Sequence, residues 1–226
     1  LEQVEVKLGT EVSEGLRWDI NEGPKFRLHT VICNGNAHEP ADKLLNYMVG
    51  PTRERYASFQ KQVPFVANDL EEGTRLVQRF YLADGFLDAV VDKPQFDFQS
   101  QGTEVDVVMP IHEGRQYFFG TLSFSGHTIY GSETLQGQIA DLLKQPYTDS
   151  RLDDIPRRLQ AYFKGRGYYN VNVEANGAPE EAVNGQVPVE ISISAGPVYH
   201  FDGVTVNGLQ RLNPSFVSKR FTGLHG

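Results

Sequence analysis

Three segments of the chain carry one pattern, and its spacing constrains everything else that the sequence can build. The first runs from Glu22-Gly23-Pro24-Lys25-Phe26 to Val31-Ile32-Cys33-Asn34-Gly35. The second runs from Glu113-Gly114-Arg115-Gln116-Tyr117 to Leu122-Ser123-Phe124-Ser125-Gly126, and the third from Ala195-Gly196-Pro197-Val198-Tyr199 to Val204-Thr205-Val206-Asn207-Gly208. In each, a glycine is followed by an aromatic residue three positions on and by a second glycine 12 positions on. Val31/Leu122/Val204 and Cys33/Phe124/Val206 are spaced by two, as one face of a strand requires.

The repeat extends well beyond the signature. Residues 65–114 align on 147–196 at a constant offset of 82 without a gap, matching Leu70/Leu152, Gln78/Gln160, Gly85/Gly167, Val91/Val173, Val107/Val189 and Ile111/Ile193. The first two signature glycines are 91 apart, and the nine extra residues are assigned to a loop at the polar stretch 51–56. A period of this length is too long for a solenoid unit of ~20–50 residues. It suits small domains that each own a core. The chain therefore divides into two complete modules, 24–114 and 115–196. Residues 1–23 are the C-terminal part of a preceding module, with Leu16, Trp18 and Ile20 on the register of Val107, Met109 and Ile111. Residues 197–226 are the start of a following one.

Hydrophobic periodicity predicts the elements of a module. In the second, 116–125 reads as a strand. Residues 132–144 read as a helix with Ser132 as N-cap, and a second helix reaches Lys164, capped by Asp149 or Ser150, with Pro156 near its first turn. Gly165 and Gly167 end it. Tyr168 to Ala175 reads as a strand, Asn176-Gly177 as the start of a loop, and Val187, Val189, Ile191 and Ile193 alternate through a third strand. The first module predicts strand 25–34, helix 40–49, helix 68–83, strand 86–92 and strand 104–112. The fold class is α+β: strand-helix-helix-strand-strand, a three-stranded mixed sheet with two helices on one face. If the first strand lies beside the third, that pair is parallel and the second strand is an exposed edge.

Composition removes several function classes. Lys+Arg 21 against Asp+Glu 29 gives a net charge of −8, which disfavours nucleic acid. The single cysteine, Cys33, excludes an intrachain disulfide and reads as a small core residue. No apolar run approaches the ~20 residues of a membrane-spanning helix. The N-terminal LEQVEVKLGTEV has no signal-peptide pattern, as expected of a trimmed chain or a piece of a longer one. The six histidines show no HExxH or helical i, i+4 pair, and no GxSxG, P-loop or GxGxxG occurs. The carboxylate pairs Glu71-Glu72 and Asp153-Asp154 fit helix first turns, and Glu180-Glu181 fits a loop. No metal, cofactor or catalytic residue is expected.

The strand–helix–helix–strand–strand order, the KGRGYYNVNVE segment at Gly167-Tyr168-Tyr169 and the G-x-x-Y/F entry to each first strand resemble the POTRA domain. POTRA modules form the arm of the outer-membrane protein assembly superfamily, the BamA- and TamA-like proteins. The first complete module departs from the pattern, with LADGFLDAVVD in place of the GYY segment. The resemblance implies a periplasmic, non-enzymatic binding and scaffold region ahead of a C-terminal membrane β-barrel. Its partners would be unfolded or nascent outer-membrane or secreted polypeptides and accessory assembly proteins, with no nucleic acid. It implies client binding by β-augmentation, in which an edge strand pairs its free backbone groups with a client strand. The edge residues are Ala89, Val90, Val91 and Asp92 in the first module and Asn170, Val171, Asn172 and Val173 in the second, with Arg79 and Ala161 in the adjoining groove. Asp92 and Glu174 read as charges that guard the edges. Alternatives are the arm of a two-partner-secretion transporter, a plastid import channel, or a structural division or cell-envelope protein with POTRA-like modules.

Overall fold

The computed structural model describes residues 5–8, 18–21, 25–56, 63–99, 102–126, 129–200, 207–208, 213 and 216. Most of 197–226, and with it the third copy's first strand, lies outside the described residues, as do His127 and His225. The chain divides into two compact units, residues 1–117 and 118–226.

The first unit opens with an antiparallel pair, β1 (Glu5–Leu8) and β2 (Trp18–Asn21), with Leu8 opposite Trp18. The first complete copy follows as β3 (Arg27–Asn34), α1 (Ala41–Met48), α2 (Gly50–Tyr56), α3 (Ala67–Ala83), β4 (Val90–Val91), β5 (Gln95–Phe98) and β6 (Glu104–His112). β6 is central. β3 pairs with it in parallel and β4 and β5 pair with it antiparallel on the other side. The pattern along β6 explains its place: Val105, Val107, Met109 and Ile111 are all buried, one on every second residue. Leu44 and Met48 of α1 and Leu70, Val77 and Tyr81 of α3 cover that face. A side chain on Gly73 would run into the Met48 carbonyl, so glycine there allows α3 to pack closely against the end of α1. Cys33 lies half-buried against this core, and burial pushes its thiol up.

The second unit contains β7 (Phe118–Ser125), α4 (Ser132–Gly137), α5 (Asp149–Lys164), β8 (Asn172–Gly177) and β9 (Gln186–Ser194). β9 is central, parallel to β7 and antiparallel to β8. Its Val187, Val189, Ile191 and Ile193 are buried, as are Ile155, Leu159 and Phe163 of α5 and Leu135 of α4. The parallel first–third pairing and the edge position of the second strand follow the sequence expectation in both units.

Several element bounds differ from that expectation. The polar stretch after Gly50 is the helix α2, not a loop. The segment 86–92 is a turn that reaches strand geometry only at Val90–Val91, and the edge resumes in β5. α4 stops at Gly137. Beyond it the chain turns through i→i+3 bonds such as Leu142 N–H to the Ile139 carbonyl, which keeps Ile139 and Leu142 buried without a longer helix. The α5 cap is Thr148, whose hydroxyl oxygen accepts the Arg151 N–H at 3.2 Å. Pro156 sits in the helix interior, beyond its first turn. The carboxylate pairs Glu71-Glu72 and Asp153-Asp154 lie past the first turns of α3 and α5. β8 begins at Asn172, not Tyr168, and includes Asn176-Gly177.

Candidate strand-addition site

Each sheet has two edges, and the chain treats them differently. Arg27 at the start of β3 is bridged by Pro64, and Phe118 at the start of β7 by Pro146, 82 residues on. In the first unit Leu28 N–H donates to the Val63 carbonyl and Phe65 N–H to the Phe26 carbonyl, both at 3.0 Å. The start of this edge is thus taken by the segment entering the long helix. The opposite edge is formed by β4 and β5 in the first unit and by β8 in the second. Among the described residues no strand flanks it.

The register tells which backbone groups of that edge are free of the sheet. Ala178 N–H donates to the Pro188 carbonyl at 3.1 Å, and the pairing continues Asn176–Glu190, Glu174–Ser192, Asn172–Ser194. In an antiparallel ladder, positions that bond across the strand alternate with positions whose N–H and C=O face away. Val173, Ala175 and Gly177 are therefore the residues of β8 whose backbone groups point outward. Gln160 of α5 reaches this line, its Nε2 lying 3.5 Å from the Val173 carbonyl.

In the first unit Asp92 N–H donates to the Pro110 carbonyl at 3.0 Å and Gln99 N–H to the Glu104 carbonyl at 3.2 Å. The outward residues are then Val91, Phe96 and Phe98. Val91 pairs with Ile111 but Gln95 with Val108, so the register slips by one residue between β4 and β5. The slip is a bulge, and it contains Pro94, which has no N–H to offer.

The predicted site residues fall unevenly on this geometry. Ala89 is buried and precedes β4, its N–H donating to the Phe86 carbonyl. Val90 is exposed, with its backbone turned to β6, and Val91 is half-buried. Asp92 is exposed, its Oδ2 3.2 Å from His112 Nε2. Asn170 and Val171 precede β8. The Asn170 side chain donates to the Tyr199 hydroxyl at 2.7 Å, and Val171 is buried with its N–H on the Tyr168 carbonyl at 3.3 Å. Asn172 opens β8 facing β9, and Val173 faces outward through its backbone. Arg79 and Ala161 are exposed on α3 and α5. The sequence reading missed Phe96, Phe98, Ala175 and Gly177. The signal that finds them is the hairpin register, counted back from the alternating valines of the third strand.

Among the described residues one group brings three metal-type ligands together: His38, Glu39 and Asp84, within 4.8 Å of one another. They are engaged with protein partners. His38 Nε2 is 3.0 Å from Asp84 Oδ2, and Lys43 Nζ is 2.9 Å from Glu39 Oε1. His29 Nδ1 lies 2.9 Å from Asp106 Oδ1. Their hydrogen bond and mutual charge raise the imidazole above its ordinary pKa and lower the carboxyl below its own.

The geometry defines a class: repeated small α+β modules, each a parallel pair of strands with a third, antiparallel strand at an open edge. A family model described as POTRA, surface antigen variable number repeat, matches residues 26–114 and 117–196, and the chain belongs to the POTRA family. The outer membrane protein assembly factor BamA of Buchnera aphidicola is 19% identical over 154 residues, covering 68% of this chain and 25% of that protein. The chain thus spans about a quarter of the length of this curated relative. The crystal structure of Haemophilus influenzae BamA POTRA3-5 is 19% identical, with a TM-score of 0.43 over 87% of this chain and 77% of the other. The N-terminal domain of Omp85 from Thermosynechococcus elongatus is 13% identical, with a TM-score of 0.43 over 90% of this chain and 79% of the other.

Proposed function

We propose that the chain is part of the periplasmic arm of an outer-membrane protein assembly or translocation protein, and that it receives extended polypeptide by strand addition, with no catalytic step. The observation that carries this reading is β8, a continuous edge of six residues that among the described residues is paired on one side only, with the backbone groups of Val173, Ala175 and Gly177 turned outward. β8 is the principal receptor. The corresponding edge of the first unit is broken by the bulge at Pro94 and guarded by Asp92 and Asp97, so it accepts a client less well. A client bound on β8 lies beside α5, whose Gln160 reaches the Val173 carbonyl, with the exposed Ala161 following it on the helix.

The test is an NMR titration of the chain with an extended peptide of alternating apolar and polar residues. Amide shifts are expected at Val173, Ala175 and Gly177. Ala175→Pro removes an outward N–H at an edge position, where proline is tolerated, and should weaken binding roughly 2–10-fold with the unit still folded. Val171→Pro is the wrong probe, because that N–H closes the turn to Tyr168. Shifts confined to residues outside β8, or unchanged affinity in Ala175→Pro, would sink strand addition at this edge.

A further inference from the structure

We infer that the turn after each long helix is a receptor whose partner is the Gly-x-x-Tyr segment opening the next repeat. The same arrangement occurs twice, with every participant displaced by 82 residues. Tyr117 N–H donates to the Gly85 carbonyl at 2.8 Å, and Tyr199 N–H donates to the Gly167 carbonyl at 2.8 Å. The Tyr117 hydroxyl donates to Asp88 Oδ2 at 2.7 Å, and the Asn170 side-chain amide donates to the Tyr199 hydroxyl at 2.7 Å. The junction glycine packs on the same residue: a side chain at Gly114 would meet Asp88 Cβ at 2.9 Å, and one at Gly196 would meet Asn170 Cβ at 3.4 Å. A side chain at Gly167, where φ is +91, would strike the Tyr199 carbonyl at 2.7 Å.

The turns themselves differ, Asp84-Gly85-Phe86-Leu87-Asp88 in one unit and Arg166-Gly167-Tyr168-Tyr169-Asn170 in the other. What is kept is what the tyrosine needs: a glycine whose carbonyl is open and, three residues on, a polar side chain that meets a phenol. Gln116 adds a bond in the first copy, its Nε2 donating to the Asp84 carbonyl at 2.9 Å. Phe26, which stands at the tyrosine's position in the first signature, has no hydroxyl and packs instead against its own unit's core, edge-on to Phe98 at 5.0 Å. The signature is therefore more than a strand entry. Where its aromatic is tyrosine, it clasps residues 115–117 and 197–199 to the turn that precedes them, so the segment opening a successor module is folded on its predecessor and is not a free tether.

Amide hydrogen exchange on the full 226-residue chain tests the clasp. The Tyr117 and Tyr199 amides should be protected. Asp88→Ala and Tyr117→Phe should each speed exchange of the Tyr117 amide roughly 2–10-fold, leaving Tyr199 and the Val107 core amide unchanged. Asn170→Ala and Tyr199→Phe should do the reverse. Asp88→Asn installs the second clasp's chemistry in the first and should hold protection within about twofold of the parent. The clasp is overturned if the Tyr117 amide exchanges freely in the parent chain. It is equally overturned if Asp88→Ala and Tyr117→Phe leave that amide's protection unchanged.

Discussion

At the scale of single residues, the two copies supply a comparison that the chain makes with itself. Tyr81, buried in the first unit, donates its hydroxyl to Glu113 Oε1 at 2.7 Å. The same carboxylate accepts the backbone N–H groups of Ala37 and His38, each at 2.9 Å, and so ties the β3–α1 loop to the end of β6. In the second unit, 82 residues on, the pair is Phe163 and Ala195: hydroxyl and carboxylate are absent together. Burial, and then the hydrogen bond to Glu113, pushes the Tyr81 phenol far above its ordinary value, so it stays a donor. Tyr81→Phe should destabilise the first unit by about 1.5–3 kcal/mol, the usual worth of a hydrogen bond to a charged group, read from denaturant unfolding. The converse Phe163→Tyr buries a hydroxyl opposite Ala195 and should cost about 1–3 kcal/mol in the second unit. The His29–Asp106 pair makes a pH prediction at the same scale. Because the folded imidazole is raised, its contribution is complete below its unfolded pKa and is lost as pH rises through the folded value. Because the Asp106 carboxyl is lowered, its contribution is present above its unfolded pKa and is lost as pH falls through the folded value. The pair therefore acts in the window between the two folded pKa values. NMR titration of the His29 ring protons should show a pKa above 6.5 that moves back toward it in Asp106→Asn.

At the scale of elements, legibility followed how strictly burial imposes a period. The third strands and the long helices were readable because they are sandwiched: β6 and β9 bury alternate residues, and α3 and α5 bury a stripe each. Bounds failed where a local bond overrides the pattern. Tyr168 to Val171 alternates like a strand, yet Gly167 at positive φ and the Val171–Tyr168 bond make it a turn. The helix expected to Lys144 stops early, because its apolar residues are kept inside by successive turns as well as by a helix. Residues 50–56 were assigned to a loop for their polarity, yet they form α2, in which Thr52 is fully buried and Arg55 reaches across to Asp69 of α3 at 3.0 Å. The edge was legible as an edge from strand order alone. Its working residues were not, because outward backbone direction depends on register, and register is fixed by which single hydrogen bond starts the ladder. A one-residue change in that start exchanges Val173, Ala175 and Gly177 for their neighbours.

At the scale of the whole molecule, the repeat predicts units that are each stabilised by their own core. Buried side chains are found in both units. Leu44, Met48, Val77, Tyr81 and Val107 form one cluster, and Leu135, Ile155, Leu159, Phe163 and Val189 are the corresponding buried set of the second unit. Leu159 is fully buried on α5. Leu159→Ala should therefore cost the second unit about 2–5 kcal/mol, the range for a leucine truncated in a packed core. The measurement is native-state hydrogen exchange, which reports the opening free energy of each region separately. Amides of β9 should lose protection by that full amount. Amides of β6 should keep theirs, because none of the first unit's core residues belongs to α5. If β6 and β9 lose protection equally, the two units unfold as a single block. The 82-residue repeat would then mark a shared ancestry of sequence but not a unit of stability, and the assignment of residues 24–114 and 115–196 as separate modules would fail with it.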